Sequence, residues 1–308
     1  MPRQTDLRYT FEPVSGEAVD VLEFTLIECL SEPFLLDVHL SSANAAVDFG
    51  QILDHAAVFT IWRGETAVRR VHGLVSGFTQ DTTGFRRTHY RAIVEPVLAR
   101  AQLRSSWQIF QQQSVPEILQ HVVKDQKITG YEQHVTAPHL TREYCVQAGE
   151  TDLTFLARLA AEEGLLYGFE HTVQGHTLIH TDRVQSLGDI EGDAVVYNPT
   201  PGGDQAQASV RRFSYTEQVR TAQQTQRDYT FKNPRYSQEH NIEARALDHQ
   251  RDDYERYDYP GRYKKDAAGK PFTATRLNSL RRDARIAQIE GDDARIEPGK
   301  AFDLVGHP

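Results

Sequence analysis

The sequence predicts an α+β chain that is mainly β. Three observations carry that expectation. Short runs of alternating apolar and polar residues recur between glycine turns from Leu7 to about Leu98. Two segments in the middle switch to helical spacing behind well-formed N-terminal caps. After a Pro/Gly loop, further strand-like runs follow in a more charged chain.

The first region reads as a meander. Leu22, Phe24 and Leu26 alternate with Glu23 and Thr25, and Phe34, Leu36, Val38 and Leu40 repeat the pattern. Asp48–Leu53 is a polar-bounded bridge, Ala57–Trp62 a strand and Arg63-Gly64-Glu65 a turn. Val71–Phe78 and Tyr90–Val97 complete the set. Strands at this spacing predict a small barrel or sandwich.

Ser114-Val-Pro-Glu117 is a capping box with proline in the first turn. Val115, Ile118, Leu119, Val122 and Val123 then give one apolar helical face, predicting a helix over Val115–Lys124. Arg142–His171 reads as strand, capped helix, glycine stop, strand. Tyr144 and Val146 alternate with Cys145 and Gln147; Thr151 is the N-cap, and Asp152 puts negative charge in the first turn. Leu153, Leu156, Leu159 and Ala160 share a face of a helix over Asp152–Glu163, and Gly164 suits the left-handed position beyond its end. Leu165, Tyr167 and Phe169 alternate again, with a hairpin tip at Gln174-Gly175 and a return strand over Thr177–His180. Glu162 and Glu163 lie in the last helical turn, where the macrodipole is negative. That costs roughly 0.3–1 kcal/mol unless a cation compensates. The ordinary reading is a solvated pair; the sharper one is an arginine, from this chain or a neighbour.

Asn198–Asp204 is a boundary loop. Strands are expected around Ser209–Tyr215 and Arg227–Phe231, a turn at Tyr259-Pro260-Gly261, and a third helix from Thr273 to Glu290 with Leu277, Leu280, Ala284 and Ala287 on one face. Glu297-Pro298-Gly299 is another turn and Ala301–Val305 a last strand. The expected division is 1–104, 105–190 and 191–308.

Composition narrows the function. The 308 residues suffice for two or three cores. Net charge of -9 argues against a general nucleic-acid binder, and a mean hydropathy of -0.55 suggests large polar loops. Cys29 and Cys145 sit in apolar runs, as reduced, buried thiols would. No signal-peptide pattern and no membrane-length apolar run is present.

Candidate chemistry is sparse. His171, His176 and His180 cluster around the predicted hairpin, but no cysteine partner or Glu-x-x-His spacing supports a metal. His240, Glu243 and His249 have the residue types of a metal site without the spacing for one helix face. Tyr254, Tyr257, Tyr259 and Tyr263 interleave with Arg251, Arg256 and Arg262, a pattern able to stack on bases. Asp252, Asp253, Glu255 and Asp258 cancel that positive field, favouring local packing around the Pro-Gly turn. Arg276, Arg281, Arg282 and Arg285 make the third helix basic outside, either as a solvated face or against acids such as Glu162-Glu163 of a neighbouring subunit. There is no nucleophile elbow, phosphate loop or dinucleotide fingerprint. No catalytic, cofactor-binding or metal residue is therefore assigned.

Several patches, in order, resemble one family. They are Ser31-Glu-Pro-Phe-Leu-Leu36, Gly73-Leu-Val-Ser-Gly77, the run from Pro96 through Ile109-Phe110-Gln111 to Val115-Pro-Glu-Ile118, Arg142–His171, Tyr257-Asp-Tyr-Pro-Gly-Arg-Tyr263 and Arg295–Pro308. Together they are similar to the VgrG family, the spike-hub proteins of the bacterial type VI secretion system. The resemblance implies a fold shared with contractile-phage baseplate hubs: two related β-barrels with α/β insertions, three chains forming a ring. It implies a seat on the hexameric tube of haemolysin-coregulated protein, a trimeric needle beyond, effectors or adaptors as cargo, and export without a signal peptide from the cytoplasm when the sheath contracts. The chain stops before the needle and lacks the family's valine-glycine repeats, so it is expected to be the hub portion alone. The expected role is structural and non-enzymatic, with no cofactor. The rivals are a cell-wall glycan hydrolase and a phage or tailocin baseplate hub.

Overall fold

The computed structural model describes residues 7–200, 207–244 and 249–308. Residues 201–204 of the expected boundary loop lie outside them. The first region forms one antiparallel sheet from β1 (Leu7–Pro13), β2 (Asp20–Ile27), β3 (Leu35–Ser42), β4 (Ala56–Arg63), β5 (Thr66–Thr83) and β6 (Thr88–Glu95), in the order β1-β4-β5-β6-β3-β2. Period-two alternation aims Leu36, Val38 and Leu40, Phe59 and Ile61, Val71 and Val75, and Tyr90, Ala92 and Val94 into one buried core. Each large apolar side chain buried there contributes about 1.5–3 kcal/mol. Tyr9 on β1 meets Phe24 on β2 with ring centroids 5.0 Å apart, so the two edge strands approach each other. No ladder joins them among the described residues. The expected barrel or sandwich is a curled sheet, a half-barrel.

The middle region holds two helices between strands, as the caps predicted. β7 (Ser105–Gln113) pairs antiparallel with β9 (Arg142–Thr151) as a two-stranded ribbon. α1 (Val115–Asp125) starts where the Glu117 carboxylate accepts from the Ser114 backbone amide at 2.7 Å and from its hydroxyl at 2.8 Å. β8 (Tyr131–His134) runs parallel to β11 (His176–Thr181), which pairs with β10 (Leu166–His171). α2 (Asp152–Glu163) packs its Phe155, Leu156 and Leu159 against Ile118, Leu119 and Val122 of α1 in a second core.

The last region differs from the expectation. β12 (Val195–Tyr197), β13 (Ser209–Glu217), β17 (Arg285–Gly291) and β18 (Leu304–Val305) make a mixed sheet in the order β17-β13-β12-β18. Between β13 and β17 the chain leaves to form a separate sheet, β15-β14-β16, from β14 (Gln223–Asp228), β15 (Gln238–Glu243) and β16 (Glu255–Asp258). α3 (Asp266–Leu280) packs on β14 and β15.

The helix expected over Thr273–Glu290 is corrected at both ends. It begins earlier and carries Pro271 inside it, and it stops at Leu280. The part from Arg285 is strand, because β13 offers a long edge that pairs with it from Glu217↔Arg285 to Val210↔Gly291. Ala284 is buried as expected, but at the turn into β17 rather than on a helix. The strand expected at Arg227–Phe231 lies earlier, and that at Ala301–Val305 shrinks to Leu304–Val305 with one bridge from Ala301 to Asp189. Cys145 is buried, whereas Cys29 is exposed just past β2.

Candidate functional site

The two most distinctive sequence patches, far apart in the chain, meet in space. The end of α2 and the start of β9 form one wall of a cleft of about 980 Å³; the Tyr259–Lys265 segment and α3 form the other. The cleft is built from the helix end outward. The Thr151 hydroxyl accepts from the Thr154 amide at 3.2 Å, fixing where α2 starts. At the far end Gly164 takes φ 73°, and Leu165 N–H returns to the Ala160 carbonyl at 2.8 Å. A Cβ on Gly164 would sit 2.8 Å from Thr275 Oγ1, so glycine also lets α2 approach α3.

The carboxylates at this helix end have their cation. Arg142 Nη1 lies 2.7 Å from Glu162 and Nη2 2.6 Å from Glu163, one guanidinium bridging both. His139 Nδ1 is 2.9 Å from Glu163, which is only 9% exposed. Arg158 reaches Glu162 at 3.3 Å and Glu150 at 2.5 Å. The sharper reading of Glu162-Glu163 therefore holds within one chain: the arginine comes from the strand that opens the same patch. Opposite, Tyr263 is buried with its hydroxyl 2.8 Å from the Gln238 carbonyl and 3.0 Å from that of Gln226. Gly269 of α3 lets His240 and Tyr263 in, since a Cβ there would lie 2.2 Å from His240 Cδ2. Lys265 Nζ donates to the Thr141 carbonyl at 3.2 Å, and Lys264 Nζ lies 3.5 Å from Glu143, crossing from one wall to the other. These polar groups are paired with one another. That is the chemistry of a joint rather than of a reacting centre.

The other residues singled out in the sequence are dispersed. Tyr254, Tyr257 and Tyr259 are exposed while Tyr263 is core, so they do not form one stacking platform. His240 Nε2 is 3.0 Å from Asp266, while Glu243 closes β15 opposite Gln223. His249 is exposed. Arg276 pairs with Asp258 at 3.3 Å, Arg281 donates to the Thr221 carbonyl at 2.7 Å, and Arg285 pairs with Glu217 at 3.1 Å. They stand on a helix, a turn and a strand, so the expected basic helix face is not formed.

Of the histidine cluster, His171 and His176 face each other across β10 and β11 with ring centroids 5.8 Å apart. His180 stands apart between Tyr131 and Tyr167, where burial pushes its pKa down to about 4. Among the described residues no group of three His, Cys, Asp or Glu is placed to hold a metal ion. The partner of His171 is instead His72 of β5, which the sequence reading missed. The same reading missed Arg69, buried in that strand, with Nη2 2.5 Å from Glu28 and Nη1 on the carbonyls of Ala294 and Ile296. The signal for both was polar residues on a strand otherwise apolar, Val68 to Val75.

Comparison with known proteins agrees with this architecture. The chain is 52% identical over 307 residues to the type VI secretion system spike protein VgrG2b of Pseudomonas aeruginosa, covering 99% of this chain and 30% of that protein. It is 51% identical to VgrG2a of the same organism, covering 36% of it, and 36% identical over 274 residues to the actin cross-linking toxin VgrG1 of Vibrio cholerae, covering 89% of this chain and 25% of the toxin. The chain thus spans about a third of the length of these two curated relatives. The E. coli c3393 protein, a type VI secretion component, has the same fold with a TM-score of 0.72 at 18% identity, over 97% of this chain and 67% of that one. A 43 kDa tail protein of a Shewanella oneidensis prophage follows at 0.58 and 14% identity, over 97% and 88%. The profile of the phage tail baseplate hub (GPD) matches residues 27–308, and the chain belongs to that family.

Proposed function

We propose that the chain is the structural hub of a type VI secretion spike. In this reading it joins a hexameric tube to a trimeric needle, acts as a homotrimer in the assembled spike, and leaves the cell when the sheath contracts. Effectors or adaptors ride on the whole protein. The division into a first barrel at 1–104, an α/β insertion at 105–190 and a second barrel region at 191–308 belongs to the same proposal. The observation that carries it is identity of 52% with a named spike protein across 99% of this chain. Support comes from the cleft, where arginine and carboxylate are spent on each other, as in a rigid connector. The role is proposed as non-enzymatic, and no helix of the described residues is long and apolar enough to cross a membrane.

The test fuses the chain to a trimeric needle and offers it hexameric rings of the tube protein. Retention of rings by the fused trimer, and not by dilute unfused chain, supports the hub. Peptidoglycan zymography with the same protein separates the rival: a clearing band would make this region a hydrolase.

A further inference from the structure

The joint between the first sheet and the middle region is held by histidine in a way that tolerates only one protonation state. β6 pairs with β5 only from Leu74 onward, so His72 lies where that edge of β5 is free. Its backbone amide donates to Nδ1 of His171 at 3.1 Å. The ring of His72 stacks on that of His171 with centroids 6.4 Å apart, and His176 packs against His171 at 5.8 Å. The β10–β11 hairpin thus uses the imidazole of His171 where a neighbouring strand would use a peptide group. Because Nδ1 of His171 is an acceptor, its proton sits on Nε2, which is buried without a partner. A second proton has only Nδ1 to go to, and there it would point at the His72 N–H. Contact and protonation exclude each other.

The net effect of the surroundings is in the same direction. β5 contributes Arg69, held by Glu28, together with Arg70 and His72; the hairpin contributes His176 and Glu170; the closing segment contributes Glu297 and Lys300, the latter 3.8 Å from Glu170. Phe34 packs its ring against both His171 and His176. Burial first, then His176, Arg69, His72 and Lys300, hold His171 well below the ordinary histidine range, and burial with His72 pushes His176 down to about 4.

We propose that this joint is an acid-labile latch: neutral His171 docks the hairpin on the free edge of β5, and protonation of its Nδ1 releases it. A hub moved from near-neutral to acidic surroundings would loosen here first, while the two flanking cores stay folded.

Amide hydrogen exchange on the full chain at pH 7.5 and pH 5, corrected for intrinsic rates, reads the latch directly. Protection of the His72 amide is expected to fall about tenfold or more at pH 5, while that of Phe59 in the same sheet is kept. His171→Asn keeps a neutral acceptor near the Nδ1 position and should hold protection at both pH values. His171→Phe should lose it at both. Lys300→Met, a mild change should the others misfold, removes a cation that disfavours protonated His171 in the docked state, so protection should fall less in acid and its midpoint should move to lower pH. His180→Phe, which removes the other buried histidine, should leave the effect intact. Protection of His72 that is independent of pH, an unshifted midpoint in Lys300→Met, or an unchanged acid response in His171→Asn would overturn the proposal.

Discussion

Replacing Arg142 with methionine tests how the cleft is held. Methionine keeps most of the apolar stem, so the loss is mainly electrostatic. In the native chain Arg142 meets two carboxylates that also face the negative end of α2. Their environments differ. Glu162 is 34% exposed and keeps Arg158 at 3.3 Å, so its share stays at the surface scale of below about 1 kcal/mol. Glu163 is 9% exposed and, among the described residues, keeps only His139 as an ion-pair partner. An uncompensated buried charge costs about 3–5 kcal/mol, and the histidine offsets part of that. The expected loss is therefore ~2–4 kcal/mol. With a urea dependence of ~1–3 kcal/mol/M, the midpoint should fall by about 1 M or more. Near-UV circular dichroism of the folded chain follows it. Glu163→Gln in the Arg142→Met background should recover about half, because a neutral amide needs no counter-ion. A loss below about 0.5 kcal/mol, or strict additivity of the two changes, would show that the bridge contributes nothing and refute the reasoning.

The remaining expectations concern neighbouring contacts. Gly164→Ala places an L side chain at φ 73° and a Cβ 2.8 Å from Thr275 Oγ1; a loss of ~1–3 kcal/mol is expected, partly relieved by Thr275→Ala, in thermal or urea unfolding. His180 titrates near pH 4 folded and near pH 6.5 unfolded, so the stability tied to its neutral form is full above pH 6.5 and is lost as pH falls towards 4. His180→Phe should flatten that part of a stability-versus-pH curve. Arg69→Met strands Glu28 and two carbonyls where the closing segment meets the first sheet; soluble yield should drop sharply, with partial rescue by Glu28→Gln.

Legibility followed locality. Both middle helices were visible because their caps and apolar faces lie close together in the chain, Ser114 with Glu117 and Thr151 with Gly164. The first sheet was visible because its inner face repeats every second residue. The segment from Arg285 was misread because its apolar residues fit a helix, while the decision was made by pairing with β13 some seventy positions earlier. The division of the last region into two sheets is likewise a matter of distant partners. Of the cleft, Glu162 and Glu163 were legible as a local conflict with the helix dipole, but Arg142 could be named only once β9 was seen to lie beside the end of α2. His72 and Arg69 stayed hidden because their partners, His171, Glu28 and the 294–296 carbonyls, come from three other segments.

The central claim is that three copies of this chain cap a six-fold tube. Its most direct measurement is the mass of the complex between needle-fused chain and hexameric tube rings, by native mass spectrometry or light scattering. The hub reading predicts three chains on each ring, each chain presenting two barrel-like faces to two tube subunits. Six chains per ring, or no stable complex with the fused trimer, would contradict it.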